Sequence, residues 1–539
     1  MPSSPAARIA TLPQALLHQG DALLRDLAAG SERAARFFSV PPRDPAAAAA
    51  AASGARRGGS ALPAAVAEDL VTHQRRCDGD ELSVANAEAL AAGRAACIVT
   101  GQQAGLLGGP VYTAYKIASA VRLARQVAER TGRRCVPVFW LASEDHDIGE
   151  ANHTFGTKAD GEIGRVSFRA SGGREVRRLP VDDEMAGSVA RYFDHLLPVG
   201  DRPRARRAYA LDGQRTFTAW VARSWMRLFA GTGLVVVEPA LLRPACGELF
   251  ERALAERAAV AEALAAVARD LREAGYRVPL DPATAGTPFH VGADGTRVRV
   301  ADAGPLLRRG AVDATVLSTD AALRPVFADA VLPNLAHVVG AGEMAYHAML
   351  KPLYALFGVA QPAVLPRRSL TFVTEDEAVA LDRYGITAEE ALTGRVHPGA
   401  ATHRLLGDGE AAEFERVAAH IRTAFRPLAE RVSAVDPSLA RTWQRSRDHA
   451  LRGLDRLRAR TGRAVLARRG YSPAALHRVL NQIRPRGRLQ ERVFPVPHFL
   501  ARFGAPFLDA CLIGEPEEAF THEVLALPAA AEPLRSDPS

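Results

Sequence analysis

The run Cys97-Ile-Val-Thr-Gly-Gln-Gln-Ala-Gly-Leu-Leu-Gly-Gly-Pro-Val-Tyr-Thr-Ala-Tyr-Lys116 constrains the fold of this chain more than any other stretch. Ala95 to Val99 is a short, continuously apolar segment of the kind a buried parallel strand needs. The glycines Gly101, Gly105, Gly108 and Gly109 follow, giving a backbone able to bend closely around a ligand. Pro110 suits the first turn of a helix, and Tyr112, Tyr115, Lys116 and Ser119 continue at helical spacing. The order strand, glycine turn, helix points backbone donors and the positive end of a helix dipole at whatever sits above the strand, which favours an anionic or strongly polar ligand. The spacing is neither a dinucleotide fingerprint nor a P-loop, so a purely structural turn is the competing reading; the polar pair Gln102-Gln103 tips the balance towards a site.

A second apolar run, Cys135 to Ala142, ends in Ser143-Glu-Asp-His-Asp147, with Asn152 and His153 just beyond. Ligands bind at the carboxyl ends of strands in open α/β sheets, so neighbouring strands would bring Gln102, Gln103, Gly105, Ser143, Asp145, His146 and Asn152 into one cleft. Leu234 to Glu238, His337 to Gly340 and Gln361 to Leu365 supply three more strand candidates separated by helical stretches. The class expected is therefore α/β, a Rossmann-like core over residues 1–375 with a parallel sheet and insertions at about 156–215 and 240–310. Asp294-Gly295 marks a hairpin inside the second insertion. From Phe414 the apolar positions Val417, Ile421, Ala424, Leu428, Val432 and Val435 recur every three or four residues. After Asp436-Pro437, Trp443 to Leu466 reads as a returning helix, so residues 376–480 are expected to form an α-helical coiled-coil arm. Residues 481–539 form a C-terminal segment with a disordered tail.

A length of 539 residues and 48% hydrophobic content suffice for two or three structural units. No run of eighteen apolar residues occurs and the start lacks the apolar core of a secretory signal, which places the chain in the cytoplasm and off the membrane. Five scattered cysteines, without a CxxC pair, argue against a disulfide framework and a zinc site. The net charge of +8 is spread along the chain without interleaved aromatics, so a nucleic-acid partner is not expected.

Three motifs stand in one order: residues 100–116, Val136 to Asp147, and Leu489-Gln-Glu-Arg492. Together with Leu323-Arg-Pro325, Gly342-Glu343, Ala345-Tyr346, Leu350-Lys-Pro352 and Val364-Leu-Pro-Arg367, they resemble the bacillithiol biosynthesis cysteine-adding enzymes, BshC, over nearly the whole chain. That resemblance implies a nucleotidyltransferase-type Rossmann-like core with two inserted connective segments and a coiled-coil arm that pairs protomers into a homodimer. It also implies a cysteine ligase that adds L-cysteine to glucosaminyl-malate, forming an amide in the last step of bacillithiol biosynthesis.

Such chemistry requires an activated acyl group, a neutral amine and a stabilised oxyanion. His146, flanked by Asp145 and Asp147, is the candidate base, with a carboxylate holding the imidazole; a solvated acidic loop is the alternative. Lys116, Arg324 and Arg367 are candidates for malate carboxylates or phosphate. Glu343 and Tyr346 are candidates for the cysteine ammonium or sugar hydroxyls, against a helix-start Glu that merely complements the dipole. Ser143, Glu144, Asn152, His153, Tyr112 and the glycine turn complete the expected binding set, and no protein-held metal is expected. No ATP-binding loop is recognisable, so the cofactor stays unread, with ATP or ADP as candidates. Two other classes remain open, a nucleotidyltransferase acting on another acceptor and a non-catalytic ligand-binding scaffold; strand ends without polar groups would favour the scaffold.

Overall fold

The computed structural model describes residues 6–41, 49–50, 61–308, 312–396, 408–468, 473–514 and 519–531. Its centre is a five-stranded, all-parallel sheet made of β1 (Ala96–Gln102), β2 (Cys135–Leu141), β3 (Val235–Val237), β4 (Asn334–Val339) and β5 (Ala363–Pro366), in the spatial order β5-β4-β1-β2-β3. Each strand is buried on both faces, which is why each reads as an unbroken apolar run. Along β1 the side chains alternate: Cys97 and Val99 join a core with Val66, Leu70 and Leu90 on one side, while Ile98 joins Ala120, Leu123 and Val127 on the other. Helices therefore cover both faces, as in a doubly wound α/β fold.

Helix α1 (Tyr112–Thr131) follows β1 and ends at Gly132, which adopts the left-handed conformation and donates its N–H to the Ala128 carbonyl at 2.9 Å. Helix α2 (Leu323–Val331) precedes β4, and α3 (Ala341–His347) follows it. The chain runs from β1 outward to β2 and β3, then returns to the other side of β1 for β4 and β5. The strand order thus reverses between β1 and β4, where a crevice opens at the carboxyl edge.

The chain divides into two compact units, Met1–Thr371 with Glu491–Ser539, and Phe372–Gln490. Residues from Glu491 on thus belong with the first unit. There Thr521–Leu527 pairs antiparallel with Ala7–Pro13, a strand in a region whose spacing suggests helices. Residues 532–539 of the expected tail lie outside the described residues. The first inserted segment carries the hairpin His153–Thr157 with Ile163–Ser167, and the second carries Phe289–Val291 paired with Arg297–Arg299.

In the second unit, α4 (Asp408–Val435) and α5 (Ala440–Arg468) form an antiparallel hairpin. Trp443 Nε1 donates to the Phe425 carbonyl at 2.9 Å and Arg458 pairs with Glu415 at 2.7 Å. The seam of α4 differs from the expected one. Ala418 is buried and Phe414, Ile421, Phe425 and Val432 are half-buried, whereas Val417 (39%), Leu428 (46%) and Val435 (82%) are exposed. Spacings of three and four fit two neighbouring stripes of one helix, and the residues Ala418 and Phe425 decide which stripe faces α5.

Candidate functional site

Two cavities, each of about 290 Å³, open at the carboxyl edge of the sheet. The first lies at the switch point. Gly101, Gln102 and Gln103 reach it from the end of β1, Tyr112 and Lys116 from α1, Gly340, Glu343 and Tyr346 from the end of β4 and from α3, and Arg367 from the end of β5. Lys116 is nearly fully buried; its Nζ donates to the Gly101 carbonyl and to Gln102 Oε1, both at 2.8 Å, and pairs with Glu343 Oε2 at 2.5 Å. Burial pulls its ammonium below the usual lysine range, against the Glu343 carboxylate, which acts the other way. The same Glu343 oxygen accepts from the Gly340 N–H at 2.8 Å, so one carboxylate caps α3 and neutralises the lysine. The Tyr112 ring lies 5.8 Å from Lys116 Nζ and 5.6 Å from the Arg367 guanidinium, and burial pushes its hydroxyl up to about 12.

Arg367 is held from behind. Its Nη1 and Nη2 donate to the two oxygens of Glu491 at 2.9 and 2.6 Å, a bidentate pair with both side chains buried. Burial works to raise the Glu491 carboxyl, but the Arg367 charge and hydrogen bonds outweigh it and hold the group at about 2. Ser369 Oγ donates to Glu491 at 3.1 Å and lies 2.7 Å from His522 Nδ1, tying the last strand into the same network. Arg492, the neighbour of Glu491, extends into the cavity, as does Glu150.

The second cavity lies beyond the end of β2. Glu144, Asp145 and His146 line it together with Phe289, Arg297, Arg299 and Asp320 from the second inserted segment. Arg324, at the start of α2, borders both cavities and donates to the Tyr346 hydroxyl at 3.2 Å. The single cleft expected from the sequence is thus two cavities with a shared wall. Gln103 Nε2 and Asp145 Oδ2 hydrogen-bond across it, so the two motifs do meet.

Several expected members stand elsewhere. Gly108 and Gly109 have positive φ, and a Cβ on Gly108 would lie 2.8 Å from the Trp225 ring, while one on Gly105 would lie 2.8 Å from the Gly109 Cα. These three glycines build a tight turn beneath the site and line neither cavity. Ser143 is fully buried, Asn152 Nδ2 donates to the Phe168 carbonyl at 3.0 Å, and the His153 ring packs edge-on against Phe155. None of these three, nor the exposed Asp147, lines either of these two cavities.

The carboxylate-held imidazole also needs correction. Asp145 Oδ1 accepts from the backbone N–H of His146 at 2.7 Å and of Asp147 at 3.3 Å, and lies 3.7 Å from the His146 ring. What meets His146 Nδ1 is Arg297 Nη1 at 3.1 Å. An arginine only donates, so Nδ1 accepts and the neutral ring carries its proton on Nε2, which makes that nitrogen a donor and not a base.

Residues 11–368 match the family model described as bacillithiol biosynthesis BshC, N-terminal Rossmann-like domain, and residues 370–527 match the bacillithiol biosynthesis BshC C-terminal coiled-coil domain. The chain belongs to the BshC family. Proteins named "Putative cysteine ligase BshC" from Geobacillus thermodenitrificans and Koribacter versatilis are similar to it. The first is 30% identical over 472 residues, covering 82% of this chain and 86% of the relative. The second is 31% identical over 463 residues, covering 82% and 86%. A Geobacillus kaustophilus protein of the same name is 30% identical over 478 residues, covering 83% and 87%.

In this BshC-family chain, Leu489-Gln-Glu-Arg492 acquires a physical meaning that its sequence alone did not give. Gln490 Nε2 donates to the Phe372 carbonyl and its Oε1 accepts from the Phe372 N–H, both at 2.9 Å, which fixes one backbone to another. Glu491 then anchors Arg367, and Arg492 faces the cavity. Arg297 and Arg299 gave no signal in the sequence beyond the Asp294-Gly295 turn, which places two arginines on one face of the returning strand.

Proposed function

We propose that this BshC-family ligase joins the carboxyl group of L-cysteine to the amine of glucosaminyl-malate, forming bacillithiol. The observation that carries the reading is the charge of the switch-point cavity, where Lys116, Arg324, Arg367 and Arg492 face Glu150 and Glu343. Lys116 is paired with Glu343 and Arg367 with Glu491, so Arg324 and Arg492 against Glu150 supply the excess suited to a carboxylate of malate, and arginine offers the bidentate contact that a carboxylate prefers. Polar strand ends of this kind speak against an inert scaffold.

In the bond-forming step the neutral amine attacks the acyl carbon, the group that activated the carboxyl leaves with the bonding electrons, and a proton from the amine passes to a base. Glu150 is suited to receive it: burial and the charges of Asp147 and Asp145 raise its carboxyl above the usual range, and it lines the cavity that we assign to the acceptor. ATP is the proposed activating reagent. Assembly as a homodimer is proposed through the exposed apolar stripe of the hairpin, Val417, Leu428 and Val435 on α4 with Leu457 on α5.

The test is direct. Purified protein is incubated with glucosaminyl-malate and cysteine, with ATP, ADP or no nucleotide, and bacillithiol is sought by mass spectrometry. Bacillithiol formed only with ATP supports the whole reading, whereas bacillithiol without any nucleotide removes ATP from it. No bacillithiol in any arm overturns it.

A further inference from the structure

We infer that the second cavity, beyond the end of β2, is the subsite for a free α-amino acid, held as its zwitterion. The inference deepens the reading above, on which it rests for the identity of that amino acid as cysteine. Three arginines, Arg297, Arg299 and Arg324, line this cavity against four carboxylates, Glu144, Asp145, Asp281 and Asp320. A polyphosphate or a dicarboxylate would meet a wall without net positive charge, and the neighbouring cavity serves those ligands better. A zwitterion suits a wall that offers both signs.

Hydrogen bonds already made by the three arginines narrow the arrangement. Arg297 is already committed, donating to Ser318 Oγ at 3.0 Å and to the Thr319 carbonyl at 2.8 Å, besides meeting His146. Arg324 is engaged through Nη2 alone, and Arg299 through Nη1 alone, with the Thr284 carbonyl and, at 3.8 Å, Asp320. These two guanidinium groups keep donors for an incoming carboxylate. Among the carboxylates, Glu144 Oε1 pairs with Arg243 at 2.5 Å, while Oε2 has no hydrogen-bond partner among the described residues. That oxygen is an acceptor for an α-ammonium. Ala142 and Leu280 also line the cavity and offer apolar contact to a short side chain, while the Phe289 ring carries the Arg297 and Arg299 guanidinium groups at 4.2 and 4.7 Å. Because Arg324 also borders the switch-point cavity, the carboxyl end of the amino acid lies on the wall shared with the acceptor, where an amide bond has to form.

The experiment is calorimetric titration of the full chain with L-cysteine under reductant, with N-acetyl-L-cysteine, which lacks the ammonium, and with L-malate. Arg299→Gln, at the rim of the second cavity, is expected to weaken cysteine binding at least tenfold and to leave malate within twofold. Arg492→Gln is expected to do the reverse, and N-acetyl-L-cysteine to bind at least tenfold more weakly than cysteine. The inference is overturned by cysteine affinity that follows Arg492 instead of Arg299, by N-acetyl-L-cysteine binding as well as cysteine, or by no cysteine binding up to about 1 mM, the upper end of ordinary substrate KM values. Cysteine that binds in the expected pattern, in a protein that makes no bacillithiol, would leave the subsite standing and remove the proposed function.

Discussion

Replacing Glu491 by leucine isolates the contribution of the ion pair that holds Arg367 in place. The carboxylate accepts from Arg367 Nη1 and Nη2, from Ser369 Oγ at 3.1 Å and from the Leu370 N–H at 3.3 Å, in a fully buried position. Removing it strands a buried guanidinium, which costs about 3–5 kcal/mol. Replacing both partners, in Arg367→Met with Glu491→Leu, removes the stranded charge. What remains is the Leu370 N–H without its acceptor, about 1–3 kcal/mol, because Ser369 keeps His522. The double variant should therefore be about 2 kcal/mol more stable than Glu491→Leu in urea unfolding followed by tryptophan fluorescence, with an unchanged slope. Both variants should show a raised KM for glucosaminyl-malate, since each disturbs the arginine that lines the cavity. A double variant no more stable than the single one would refute the argument, because the loss would then come from packing and not from an unpaired charge.

Three further expectations concern other parts of the molecule. If His146 donates from Nε2, His146→Gln, which can both accept from Arg297 and donate, should retain at least about a tenth of the turnover that His146→Ala loses, within the range that one positioned group contributes; equal loss in both would restore the histidine as base. Burial lowers the His522 imidazole from 6.5 to about 4, so the folded state resists its protonation: stability is full above pH 6.5 and falls by roughly 3 kcal/mol as pH drops to about 4, at 1.36 kcal/mol per unit. Urea midpoints at pH 7 and pH 5 should therefore differ in the wild type, and the gap should narrow in His522→Asn without closing, because burial also holds the His347 and His498 imidazoles well below their usual range; an unchanged gap would contradict the assignment. For the hairpin, Leu428→Glu with Leu457→Glu should convert a sedimenting dimer to a monomer and leave the thermal transition of the α/β unit in place; a wild-type monomer at micromolar concentration, or a variant that stays dimeric, would sink the proposed interface.

The five strands were legible because each is buried on both faces and so is spelled as a continuous apolar run, from Ile98 and Val99 to Val364 and Leu365. Polar residues following those runs pointed to the carboxyl edge of the sheet, where the two cavities open, and Gln102, Gln103, Lys116, Glu343 and Arg367 share one of them. The reversal of strand order between β1 and β4 was not visible, since nothing local in the sequence states which strands are neighbours. For the same reason the pairing of Ala7–Pro13 with Thr521–Leu527, and the role of Glu491 behind Arg367, lay beyond reach: both depend on contacts between residues more than a hundred positions apart. The glycine turn misled because a glycine required by positive φ and one required by a ligand are spelled alike. In the hairpin, a period of three and four does not distinguish Val417 from Ala418, and only the facing helix decides.

On the proposed function, the switch-point cavity holds the malate end of the acceptor. The most direct test of this is the ratio of kcat/KM for glucosaminyl-malate to that for glucosamine, which has the amine but no malate, in the wild type and in Arg492→Gln. An arginine–carboxylate contact of about 1.5–3 kcal/mol predicts a wild-type ratio of at least about tenfold that collapses in the variant, with glucosamine itself used equally well by both. Equal use of the two acceptors by the wild type, or a variant that loses activity on both to the same degree, would contradict it.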